Sequence, residues 1–227
     1  MALARPTHVA CGARPAFAEN GRLDALGANQ LGRGLYPVLF GERRRQPANW
    51  ARFVFLNAEA PNFYGDWDRT AKDCVAILRS EAGRHPHDRE LSDLVGELAT
   101  QSEEFRGLWA AHNVRLHTKG IKRFNHPIVG ELELSFNRLE VMADPGLMIV
   151  AYTAEPGSRS AEAFGLLASW AATRESHWAT SSISWSTYGD QIMQYANFLA
   201  ELCRRSNHGN PLGCRAFRPT RNRCTVV

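Results

Sequence analysis

The chain has 227 residues, a formal net charge of +4, 44 % hydrophobic and 22 % charged residues. That composition is near the globular norm, and the length allows one domain with extensions or two small ones. No stretch reaches the ~18 consecutive apolar residues of a membrane span, and so small a charge does not by itself argue for nucleic acid.

The charge is also uneven. From Ala172 onward seven Arg stand against Glu175, Asp190 and Glu201, which accounts for the whole +4. The first residues, "MALARPTHVACGARPAF", lack the continuous apolar stretch of a signal peptide, so a cytoplasmic location is expected. Residues 16–36 read as strand, turn, strand and short helix. Asn20-Gly21 is a hairpin pair because both residues tolerate positive φ. Asn29 is placed to cap the short helix that carries Leu31, Leu35 and Tyr36. Residues 42–46 form a polar run, expected to be solvated. The apolar cluster Trp50, Phe53, Val54, Phe55 and Leu56 follows.

A helix is expected over about 61–82, because Trp67, Ala71, Cys74, Leu78 and Ala82 recur at helical steps on one face. Cys74 in that stripe reads as a small buried hydrophobe. Asp88 can cap the next helix, whose stripe is Leu91, Leu94, Val95 and Leu98. Thr100 and Glu103 stand at capping-box spacing before a third helix that shows Phe105, Leu108, Trp109 and His112. From Val114 the period changes to two. Gly120 reads as a turn, Ile121, Arg123 and Asn125 then alternate with Lys122 and Phe124, and Leu132, Leu134 and Phe136 alternate with Glu131, Glu133 and Ser135. Asp144-Pro145-Gly146 is a turn before an apolar central strand, Leu147 to Thr153. A last helix, Ser160 to Ala172, puts Ala163, Leu166, Leu167 and Trp170 on one face. Several antiparallel strands flanked by helices make an α+β domain. The segment 173–227 has no clear period apart from a candidate amphipathic helix (Ile192, Tyr195, Leu199, Leu202), and it reads as partly disordered.

Little in the sequence points to chemistry. There is no G-x-S-x-G and no Walker loop, and Gly27, Gly32 and Gly34 do not fit dinucleotide spacing. Cys203, Cys214 and Cys224 with His208 are spaced too widely for zinc knuckles. No catalytic residue, metal or cofactor is therefore assigned. The aromatics are more telling. Core packing alone could use them, but they can also wrap a concave apolar pocket with a few polar groups at its mouth. Phe53, Phe55, Tyr64, Trp67 and Trp109 are the expected wall. His112, Lys122, Arg123 and His126, with Asn29, suit the mouth, where a carboxylate would find charge-assisted donors.

Five stretches, "NGRLDALGANQLGRGLY", "ARFVFLN", "YGDWDRTAKDCVAILRSEAGRHPHDRELSDLVGELATQSEEFRGLWAAHNVR", "GIKRFNHPIVGELELSF" and "AYTAEPGSRSAEAFGLLASWAA", together resemble the ligand-binding domain of MmyB-like transcription regulators over about 16–172. The resemblance implies a PAS-like antiparallel sheet wrapped by helices around an apolar cavity, and a small hydrophobic, fatty-acid-like ligand. It also implies a homodimeric regulator with an Xre-type helix-turn-helix ahead of the sensor. Residues 1–15 are too few for that helix-turn-helix, so DNA contact is expected only through a module missing here. The Trp, Ser, Cys and Arg content of 173–227 departs from the family and fits a shifted reading frame or a junction with foreign sequence. Two alternatives stay open: an enzyme of unknown class using His126 or His112 with a nearby carboxylate, and a non-functional truncated gene product.

Overall fold

The computed structural model describes residues 14–40, 48–111, 118–142 and 144–178. The charged run at 42–46, His112, Val114, Leu116 and the Cys- and Arg-containing tail beyond 178 lie outside the described residues. In chain order the elements are β1 (Ala16–Glu19), β2 (Ala25–Ala28), α1 (Gln30–Leu35), α2 (Trp50–Leu56), α3 (Ala60–Phe63), α4 (Trp67–Arg84), α5 (Arg89–Gln101), α6 (Glu103–Ala110), β3 (Lys119–His126), β4 (Gly130–Glu140), β5 (Met148–Thr153) and α7 (Arg159–Trp178). The strands form one antiparallel sheet in the order β2-β1-β5-β4-β3. The fold is α+β, as expected. β5 is the central strand and every one of its residues is buried.

Cross-strand partners share a face of a sheet, so the register decides which side chains meet. Phe17, Val150 and Arg138 form one row across β1, β5 and β4; Tyr152 pairs with Phe136, and Lys122 with Leu134. Glu19, one step along β1 on the same face, pairs with Met148. This face carries the main core, which it shares with α2, α4, α5 and α6. Ala16, Ile149 and Ala151 make a small second cluster of their own.

The helices begin where capping side chains allow. Asn49 accepts from the Arg52 amide at 3.0 Å, Asp88 from Leu91 at 3.1 Å and Ser102 from Phe105 at 3.1 Å. Each bond satisfies an amide that the first helical turn leaves without a partner. Asn29 caps α1 as expected, through Gly32 at 2.7 Å, and its amide group also donates to the Arg14 carbonyl.

The structure corrects several expectations. Thr100 lies inside α5 with its hydroxyl on the Gly96 carbonyl, so the cap of α6 is Ser102 and not a Thr100–Glu103 box. The Asn20-Gly21 turn is longer than two residues: the Asn20 side chain accepts from the amides of Arg22 and Asp24, and the positive φ, 66°, falls on Leu23. Leu23 is buried in the core, which offsets the cost of that conformation. Gly120 is within β3, not a turn. Residues 50–56, an apolar cluster without a periodic pattern in the sequence, are helical, and Asn49 caps them. Leu166 is 66 % exposed, so the buried face of α7 is carried by Ala163, Leu167 and Ala171.

The expected helix over 61–82 is broken at 64–66, and the break positions the site. Tyr64 is extended and bridges to Phe124, and the Gly65 amide donates to the Arg123 carbonyl at 2.9 Å. A Cβ on Gly65 would sit 2.9 Å from the Arg123 Cβ, so only glycine lets the chain approach this closely. Asp66 then restarts the helix by capping Arg69 at 3.2 Å.

Ser102→Ala should lower stability by about 1 kcal/mol, whereas Thr100→Ala should change it by less than about half that. Urea unfolding of the two variants checks the assignment, and equal losses would return the cap to Thr100.

Candidate functional site

Between the inner face of the sheet and α2 and α4 lies a cavity with about 50 Å³ of space open to the centre of a water molecule. Its walls are aromatic. Phe17 packs 4.3 Å from Trp50, Trp50 4.4 Å from Tyr36, and Tyr64 5.8 Å from Phe124. The Tyr36 and Tyr152 hydroxyls, both on fully buried residues, share a hydrogen bond of 2.7 Å. Burial, first of all, raises the pKa of Tyr36 and Tyr64 well above the ordinary phenol value. Cys74, from α4, also faces this space, and burial pushes its thiol up to about 12, so it stays a protonated, unreactive thiol.

Glu19, Asp73, Lys122 and Arg138 bring charge into this aromatic wall. Glu19 is 4 % exposed. Arg138 reaches it from two strands away and donates to Oε1 at 2.7 Å. Burial raises the Glu19 pKa, while Arg138 and then Lys122 pull it back. The Lys122 ammonium lies 5.5 Å from the Phe136 ring centre and 5.8 Å from that of Tyr64, both within cation–π range. Burial works against its charge, the nearby Glu19 and Asp73 carboxylates favour it, and its pKa lies above the ordinary lysine value. Lys122 is therefore a cation in an aromatic setting.

Outside the cavity runs a groove of about 130 Å³ by the same measure, lined by Asp66, Arg69, Ile121 and Arg123. Thr70, Asp73 and Lys122 line both the cavity and the groove. Lys122 thus stands at the junction between the surface and the aromatic interior.

Of the expected site residues, Tyr64 and Lys122 line the cavity, and Lys122 and Arg123 line the groove. Arg123 also pairs with Glu133 directly across the strands at 2.8 Å, on the exposed side of the sheet. Phe53 lies behind the wall, packed on Phe63 and Tyr64. Phe55 packs on Trp67 and Phe105, and the Trp67 indole donates to the Val54 carbonyl at 3.0 Å. Trp109 stacks on Phe105 under the Arg79 guanidinium. His112 is outside the described residues.

His126 is buried and structural. Its Nδ1 accepts from the amides of Ile128 and Val129, so its Nε2 carries the proton and donates to the Gly34 carbonyl at 2.9 Å. Burial lowers its pKa below 6.5, opposed by the Gly34 bond. No carboxylate is among these partners. Asn29 is committed to its cap and lies away from the mouth.

Sequence reasoning missed Glu19, Arg138 and the Tyr36–Tyr152 pair. One signal was present: carrying the alternation Leu132, Leu134, Phe136 one step further places Arg138 on the inner face.

A family model described as the MmyB-like transcription regulator ligand binding domain matches residues 10–167. The chain belongs to this family. No curated protein matches it. The MmyB-like domain is a ligand-binding part of transcription regulators, so a small molecule is its natural partner, and among the described residues no helix is long and apolar enough to cross a membrane. One wall residue suits such a partner: Trp50 is 4 % exposed, and its indole N–H has no hydrogen-bond partner among the described residues. A buried donor left this way costs about 1–3 kcal/mol.

Arg138→Met should cost about 3–5 kcal/mol near neutral pH, because it strands the Glu19 carboxylate. A buried carboxyl with a raised pKa holds its proton longer in the folded than in the unfolded chain, so stability falls as pH rises from 4.5 through the folded value. The Arg138→Met loss should therefore shrink in acid, and urea midpoints across pH would expose a constant loss. His126 has the opposite sign: its folded pKa is depressed, so the unfolded chain takes up a proton first and stability drops as pH falls below 6.5. His126→Gln should flatten that limb of the pH–stability curve, and an unchanged limb would show that other groups cause it.

Proposed function

We propose that the domain senses a small molecule with an apolar body and an acidic head, of the fatty-acid-like class. The ligand would place its carboxylate at Lys122 and its body among Phe17, Tyr64, Phe136 and Tyr152. The observation that carries this reading is the position of Lys122, an ammonium shared by an outer groove and an aromatic cavity. The two carboxylates of the wall, Glu19 and Asp73, are balanced by Arg138 and Lys122, so an anionic head adds charge that the raised pKa of Glu19 can relieve by taking up a proton. Tyr64, Lys122 and Arg123 are the proposed direct contacts. Phe53, Phe55, Trp67, Trp109 and His126 hold the elements that carry them.

The cavity as it stands holds about three to five water-sized atoms. A longer ligand needs α4 to move relative to the sheet, and a ligand that favours one such arrangement shifts the population toward it. In the proposed mechanism the sensor spans 16–172, acts as a homodimer in the cytoplasm and controls DNA binding by a helix-turn-helix partner module. The strand order β2-β1-β5-β4-β3 supports a PAS-like architecture. Membership of a regulator family supports the regulatory output.

Native mass spectrometry of the full chain, followed by organic extraction, should release a bound apolar acid. Lys122→Met should weaken octanoate binding by about tenfold or more, the value of a charge-assisted hydrogen bond. Unchanged affinity in a folded Lys122→Met protein would remove Lys122 from the site.

A further inference from the structure

We infer that the ligand carries a second oxygen, a hydroxyl or carbonyl remote from its carboxylate, which accepts a hydrogen bond from Trp50 Nε1. This rests on the reading above that the cavity takes a small apolar acid at Lys122, and it narrows that class to oxygenated, short-chain acids.

Trp50 lines the cavity, is nine-tenths buried and has an indole N–H with no partner among the described residues. Acceptors in the wall near Trp50 already have partners of their own. Glu19 Oε1 takes the Arg138 guanidinium, and the Tyr36 and Tyr152 hydroxyls bond each other. The cavity beside Trp50 is thus the place where a ligand can supply the missing acceptor. A plain hydrocarbon end would leave the donor unsatisfied, and sites built to hydrogen-bond an oxygen discriminate strongly against analogues that lack it.

Trp50 and Lys122 differ in what they line. Lys122 lines the groove as well as the cavity, whereas Trp50 lines the cavity alone. Trp50 packs on Phe17 and Tyr36, and Lys122 lies over Tyr64 and Phe136. The Tyr152 ring links the two sets, with its centre 6.0 Å from Phe17, 6.2 Å from Tyr36 and 6.4 Å from Phe136. A carboxylate held at Lys122, on the groove side, leaves the rest of the ligand inside the cavity that Trp50 and the tyrosine rings line. The small volume favours a short chain between the two oxygens.

The test is calorimetry on the full 227-residue chain with matched probes: butanoate, hexanoate and octanoate against the corresponding ω-hydroxy acids. At one chain length the hydroxy acid should bind about tenfold or more tighter than its plain partner. Trp50→Phe, which removes the donor together with the five-membered ring of the indole, should erase that preference, read as the ratio of affinities within each pair. Equal affinity within every wild-type pair would overturn the inference and leave the apolar-acid reading standing, and this comparison needs no variant. A preference that survives Trp50→Phe would also overturn it, by moving the oxygen contact elsewhere. Binding of neither series would overturn the apolar-acid reading and this inference with it.

Discussion

A carboxylate on β1 lies inside an aromatic core, and a guanidinium on β4 reaches across the central strand to meet it. Neither charge is tolerable there alone. The register of the sheet brings them together: Phe17, Val150 and Arg138 stand in one row, and Glu19 is the next inward residue of β1. A slip by one residue in either pairing would turn Arg138 or Glu19 to the other face and leave its partner buried and uncompensated. The Glu19–Arg138 bond thus penalises every register except the observed one.

The second constraint acts at the edge of the sheet. β3 would present open backbone groups there, but Gly65 and Tyr64 bind its second half, and Asn125 donates to the Asn62 carbonyl. The same tie carries Tyr64 inward under Lys122 and starts α4 at Asp66. Edge protection and site construction are therefore one feature. α4 forms a wall of the cavity and part of the groove, so both spaces depend on how it packs against the sheet.

Much of the architecture was legible. The alternation of Leu132, Leu134 and Phe136, the apolar stretch of β5 and the caps at Asn29 and Asp88 are local signals, and local physics honours them. The errors came where two signals competed. Thr100 and Ser102 can both cap, and the buried Phe105 amide selects Ser102. Asn20-Gly21 has hairpin chemistry, but burial of Leu23 places the positive φ there. The aromatics of 53–67 and 105–109 read as pocket wall because sequence records their apolar surface and not the neighbours that cover it. Most of them cover one another. His126 looked available because its two nitrogens are engaged by backbone groups that composition cannot show.

The sequence by itself determined the α+β class, the family, most strand and helix positions and the aromatic content of the interior. Those depend on periodicity and capping, which act over a few residues. Only the tertiary structure decided that Lys122 and Tyr64 meet at a cavity mouth, that Glu19 finds Arg138, and that Trp50 keeps an unsatisfied donor in the wall. These depend on distances between residues far apart in the chain, and such distances are set by strand register and by the close approach that Gly65 permits.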